Sequence, residues 1–177
     1  MPTPRISLLA ALFAIFMMTS GGGAIGVDLA AGHLVPLNDQ AIADASKRAQ
    51  ATVDDFIAKM QNPPAGTSHY SVKLGIVDEG SSFKLTTDVG TDQAEFLWLV
   101  DIAVSGEGFE GTISDTPETV KNVANGQRIQ FKKSDVFDWM YVDGQTFVGN
   151  YTACPVLQAG PPEDLKAFEQ MSETVCQ

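Results

Sequence analysis

The chain is poor in positive charge. It carries 11 Lys and Arg against 22 Asp and Glu, a formal net charge of -11 over 177 residues. A protein that neutralises phosphates needs clustered cations, so this balance argues against nucleic acid as a partner and against electrostatic attachment to anionic lipid. Acidity of this kind keeps a protein soluble. Histidine is scarce too. His33 and His69 stand far apart with no HExxH around either, which leaves little basis for a zinc site. No GxSxG occurs, and the glycines Gly21 to Gly23 sit in the N-terminal apolar region rather than ahead of a phosphate-binding helix. No metal or cofactor is expected. Repeats, low-complexity runs and domain linkers are absent as well.

Long apolar runs are also missing. The longest, Ile6 to Met18, has 13 residues, against the roughly 20 a helix needs to span a bilayer. It follows one cation, Arg5, and precedes Thr19-Ser20-Gly21-Gly22-Gly23-Ala24, the order expected of a secretory signal. The expected cut falls after Ala24, with Ala30 or Ala31 as the alternative. No cysteine follows the run, so a lipid anchor is not expected, nor any membrane attachment after cleavage. Removing residues 1–24 takes the charge to -12 and leaves 153 residues, enough for one domain with a real core. The expectation is a signal over 1–24, a leader over 25–37, and one domain over 38–177, located in the periplasm or secreted.

Asn38 and Asp39 offer N-cap side chains. Behind them Ile42, Ala45, Ala49, Val53, Phe56, Ile57 and Met60 recur at spacings of three and four, predicting a long amphipathic helix stopped by Asn62-Pro63-Pro64. From His69 the period becomes two, with Tyr70, Val72, Leu74 and Ile76 facing a core opposite Ser71, Lys73 and Gly75. Phe83 and Leu85 suggest a short edge strand. Glu95 to Val104 is apolar on both sides, as in mid-sheet, with Trp98 in the core and Glu95 at an exposed strand end. Phe109 to Ser114 is its hairpin partner across Gly106-Glu107-Gly108. A helical turn is expected over Glu118 to Val123, then a strand over Gln127 to Lys132. Pro161-Pro162 precedes a second amphipathic helix through Leu165, Phe168, Met171 and Val175, which would lie on the sheet. The fold class is α+β: a long N-terminal helix packed on an antiparallel sheet of about five or six strands, then a short C-terminal helix.

Asp143-Gly144 predicts a two-residue hairpin between Val136 to Val142 and Gln145 to Thr152. In that register Asp138 faces Gly149 and Val136 faces Tyr151, on a side that is otherwise apolar. A gap over Gly149 would admit a ligand group, a helix end or a water between Phe147 and Tyr151. The aromatics Phe137, Trp139 and Tyr141 would line the other side, as core beneath a helix or as a binding ladder. Asp138 has two readings: a buried acceptor of backbone or Tyr hydroxyl hydrogen bonds that fixes the register, or a functional carboxylate. Asn150-Tyr151-Thr152 matches a glycosylation sequon that falls inside this expected strand, so it is read as accidental.

Asp39 to Leu157 resembles the YegJ-like family of bacterial envelope proteins, a domain of unknown function (DUF2314). The resemblance rests on the helix ending before Pro63, Ser71-Val72-Lys73, Glu95 with Trp98, Gly111-Thr112-Ile113 with Pro117, and Gly126. Its densest part is Asp138-Trp139-Met140, Asp143-Gly144 and Gly149-Asn150-Tyr151-Thr152. The chain departs in a longer loop between Ile76 and Glu95, and in having Cys154 where the family pattern has a basic residue. The resemblance implies export but no established activity.

Candidate binding or register-fixing residues are therefore Asp138, Trp139, Gly149, Tyr151, Glu95 and Trp98. Cys154 and Cys176 are expected to form a disulfide, since both would meet an oxidising compartment. The first functional expectation is a non-enzymatic module binding an envelope protein, a peptide or a wall fragment. The second is a small hydrolase or isomerase pairing Asp138 with Glu95 or Asp135, which would lie within about 10 Å of each other across an open cleft. The third is a partner that neutralises a toxin.

Overall fold

The computed structural model describes residues 39–176. The expected signal and leader lie outside the described residues. Among those described, no helix is long and apolar enough to cross a membrane. The elements run α1 (Asp39–Ala51), α2 (Val53–Gln61), β1 (Thr67–Glu79), β2 (Ser82–Thr86), β3 (Glu95–Ser105), β4 (Gly108–Ile113) and β5 (Arg128–Phe131). A 3-10 turn (Lys133–Asp135) then leads to β6 (Val136–Asp143), β7 (Thr146–Gly149), α3 (Ala153–Gln158) and α4 (Pro162–Met171).

All the strand pairings are antiparallel, and the sheet order is β5-β4-β3-β1-β6-β7. β1 is the axis. It pairs with β3 on one side, and on the other with β6 through Leu74 and then with β2 from Gly75 onward. Both faces of β1 are covered, so Ser71 and Lys73 are buried along with Val72 and Leu74. The expected solvent-facing side is thus a second buried face. Alternation shows only which residues share a side, and the elements laid over that side decide whether it is wet.

The single long N-terminal helix is corrected to two shorter ones. At Thr52 the backbone leaves the helical region (φ -118, ψ 7). Its hydroxyl donates to the carbonyls of Arg48 and Ala49, both at 3.2 Å, in place of a regular turn. α2 ends at Gln61, as Asn62-Pro63-Pro64 requires. α1 lies along β6, where the Ser46 hydroxyl and Gln50 amide donate to the carbonyls of Phe137 and Val136. α1 thereby covers the start of β6, which β7 does not reach because it pairs only with Met140 to Asp143.

Two apolar clusters form. The larger joins Ala49, Val53 and Phe56 to Val72, Leu74, Ile76, Leu97, Leu99, Val136, Trp139 and Tyr141. The smaller holds Ile42, Val77, Ala94, Phe96 and Phe137, with Val156 of α3 against it. Phe137 is separated from Trp139 and Tyr141 by an irregularity: Leu74 pairs with Val136 but Lys73 pairs with Asp138, so Phe137 is an extra residue.

The β6–β7 hairpin is offset by two residues from expectation. Asp143 pairs with Thr146, so the loop is Gly144-Gln145. Gly144 has φ 59 and takes the first loop position, the glycine-first form of a two-residue hairpin turn. Gly149 then faces Met140 rather than Asp138, and β7 stops there. Tyr151 and Thr152 belong to the turn into α3 rather than to the strand. The expected helical turn over 118–123 is absent. α4 does not bury itself on the sheet: Leu165 and Phe168 are half-buried, while Met171 and Val175 are exposed.

Candidate functional site

Asp138 sits in the middle of β6 with none of its surface exposed. After Gly149 (φ 90) and Asn150 (φ 58) the chain curls back over it, pinned by the Asn150 amide on the Trp139 carbonyl at 2.8 Å. The curl aims amides at the carboxylate. Oδ1 accepts the Trp139 and Tyr151 N–H groups at 2.8 and 3.2 Å. Oδ2 accepts the Thr152 N–H at 2.8 Å and its hydroxyl at 2.7 Å. The Thr152 oxygen in turn accepts from Lys73 Nζ at 2.7 Å. A buried cation and a buried anion are therefore joined through one hydroxyl.

Lys73 lies directly across from Asp138 on one side and from Trp98 on the other. Its Nζ stands 4.5 Å from the centroid of the Trp98 ring, a cation–π contact. The Trp98 amide donates to Asp115 Oδ2 at 2.9 Å, while Asp115 Oδ1 is enclosed without a hydrogen-bond partner. Burial pushes the Asp138 carboxyl above the usual carboxylate range, opposed by Lys73 and by the hydrogen bonds it accepts. Burial pushes the Lys73 ammonium down, opposed by Asp138 and then Asp115. Asp115 is likewise raised by burial, against the Trp98 amide and Lys73, with Glu95 adding to the rise.

Glu95 is a correction. It is 1% exposed rather than at an open strand end. It pairs with Ile76, three residues along β1 from Lys73, and so points to the opposite face from Asp138. The segment expected to be a helical turn wraps it instead. The Glu118, Thr119 and Val120 amides donate to Glu95 at 2.8 to 3.1 Å. The next two amides, Lys121 and Asn122, donate to Asp78 at 2.8 and 3.0 Å. Five consecutive N–H groups thus close on two carboxylates, which explains why this loop needs no helix.

The structure gathers Asp138, Trp139, Gly149 and Tyr151 at one place and brings Trp98 to them through Lys73. Glu95 is kept apart. Asp135 accepts the Lys132 amide in the exposed 3-10 turn. No pair of these three carboxylates faces the other across a cleft. There is also no gap over Gly149, because a Cβ there would fall 2.3 Å from the Trp139 carbonyl. Trp139 is core. It stacks on Phe56 at 5.1 Å, meets Tyr151 edge-on at 5.6 Å and donates its indole N–H to the Ala49 carbonyl. Sequence reasoning missed Lys73, Thr152 and Asp115. The signal that could have found Lys73 is its register, opposite both Trp98 and Asp138. Among the described residues no cluster of His, Cys, Asp and Glu is arranged to hold a metal.

Cys154 and Cys176 are joined as a disulfide with their Cα atoms 5.1 Å apart. Cys154 follows Thr152 by two residues, so the bridge is rooted beside the charge network.

An antiparallel sheet carrying a buried Lys–Thr–Asp relay, flanked by helices and closed by a disulfide, defines a small α+β domain. Residues 39–172 match the model of a family described as an uncharacterized protein conserved in bacteria (DUF2314), and the chain belongs to that family. It is 34% identical over 157 residues to the uncharacterized protein YegJ of Escherichia coli strain K12, covering 89% of this chain and 92% of the relative. No solved structure matches it.

Proposed function

We propose that this is an exported domain that binds a peptide, a protein or a wall fragment rather than transforming one. The observation that carries the reading is that the carboxylates available for chemistry are spent inside the fold. Asp138 takes four hydrogen bonds with no exposed surface, and Glu95 takes three loop amides at 1% exposure. A general base must reach a substrate proton; these groups reach only the protein's own donors. The disulfide supports an oxidising destination, where such bridges persist.

Cross-linking in intact producing cells, followed by recovery of the chain from the envelope fraction, tests both halves. The expected result is a chain beginning at Ile25, joined to one partner in stoichiometric yield. A full-length chain recovered from the cell interior would remove the export half. Turnover of peptide or wall substrates that Asp138→Asn abolishes without loss of fold would remove the binding half.

A further inference from the structure

The last fifteen described residues are held very differently from the rest. α4 buries none of its residues, and in the tail behind it only Thr174 is buried. The tail nevertheless lies along the sheet. Ser172 forms a parallel bridge with Phe147 of β7. The Glu173 amide donates to the Phe147 carbonyl at 2.8 Å, and the Thr174 hydroxyl to the Gly149 carbonyl at 2.6 Å. These contacts occupy the side of β7 that faces away from β6. Beyond them Val175 is exposed, and Cys176 is bonded to the buried Cys154.

With the Ser172 hydroxyl donating to the Phe147 carbonyl at 3.4 Å, three hydrogen bonds, one buried threonine and the half-buried Leu165 and Phe168 are a weak hold. A net hydrogen bond contributes about 1 kcal/mol, while ordering each residue costs about as much or more. The covalent bridge supplies the difference by keeping the tail near its seat, as an effective concentration does.

We propose that Pro162–Cys176 is a redox-releasable strap over the outer edge of β7, and that its release bares that edge for an extended segment of a partner polypeptide. This rests on the binding reading above and names its seat. The occupant is defined by what fills the seat now: an extended strand, parallel to β7, supplying an N–H to Phe147 and a hydroxyl to Gly149. Main-chain hydrogen bonds would give affinity, and the short hydroxyl side chain would give register. Release needs a dithiol reductant. One of its thiolates attacks Sγ of the half-buried Cys176, breaking the disulfide, and the Cys154 thiolate leaves and takes up a proton. The reductant's second thiol then displaces Cys176 as a thiol and closes the reductant's own disulfide, so two electrons pass to the protein.

Amide exchange at Glu173 reports release directly. In the oxidised full chain that amide should be protected. On reduction with a dithiol, or in Cys176→Ser, exchange should accelerate by about a hundredfold, the range expected when a segment opens locally. The core amides of Leu74 and Leu97 should stay slow. Glu173 still protected after reduction would overturn the strap. The seat is then probed with a labelled synthetic peptide, Gln-Met-Ser-Glu-Thr-Val-Ser. It should bind Cys176→Ser at least about tenfold more tightly than the oxidised chain, and equal binding to both forms, or to neither, would overturn the exposed-edge claim. The exchange measurement needs no partner, so failure of the strap and failure of the binding reading are told apart.

Discussion

At Asp138 the surroundings are so complete that removing the side chain should be costly. Asp138→Ala strands the Trp139, Tyr151 and Thr152 amides and leaves Lys73 buried without the anion that most offsets its burial. Breaking a buried pair from one side costs about 3–5 kcal/mol, and chemical denaturation should show a loss of that size. Lys73→Met added to Asp138→Asn should restore much of it, since both charges then go while the amides keep an acceptor. A double variant no more stable than Asp138→Ala would break the pairing argument. Asp115 gives a pH test. Burial raises its folded pKa above the usual carboxylate range. A raised carboxyl favours the folded state while protonated, and that contribution is lost as pH rises through the folded pKa. Relative to Asp115→Asn, the native chain should therefore lose stability as pH climbs upward from about 4; parallel stability curves would refute this. Asp138 was legible in the sequence because a charge inside an apolar strand stands out. Lys73 was not, because it falls where an alternating strand puts its solvent side, and only the fold reveals that this side is buried.

Helix and hairpin each depend on one close approach. Phe56 is 1% exposed and lies at 5.1 Å against Trp139, joining α2 to β6. Phe56→Ala should cost about 3–5 kcal/mol through lost transfer and a residual cavity, and a thermal melt unchanged by it would contradict the packing. At Gly149 the φ of 90 and the 2.3 Å approach of any Cβ to the Trp139 carbonyl both demand glycine. Gly149→Ala should destabilise by about 2–4 kcal/mol and disturb the curl that delivers Thr152 to Asp138; a neutral effect would count against that geometry. The strands and the N-terminal helical region were readable because their periods persist over many residues. The hairpin register was not, since Asp143-Gly144 and Gly144-Gln145 are both acceptable loops and differ only in where glycine falls. The break at Thr52 was hidden because the apolar spacing runs straight through it. The loop over 118–122 escaped because its order comes from distant Asp78 and Glu95, which no local pattern records.

On the scale of the whole molecule, redox compartment links the N-terminal segment, the bridge and the strap. Cys154 and Cys176 are the chain's only cysteines, 22 positions apart in sequence. Closing a loop of that size constrains the unfolded chain by about 3 kcal/mol on the entropy model. That figure is a ceiling on what reduction should cost here. A strap in which only Thr174 is fully buried, and Leu165 and Phe168 half-buried, can leave the sheet without unfolding it, so the reduced chain keeps its core and loses only the constraint. Compartment then decides which form exists. The chain made with residues 1–24 should be recovered oxidised, so thiol labelling after denaturation without reductant finds no reactive cysteine. The same chain made without those residues should stay in the reducing interior and show two. Two labels in both preparations would deny the bridge in the chain made with residues 1–24. None in either would mean that it forms without export, and the link between the N-terminal segment and the disulfide would fall.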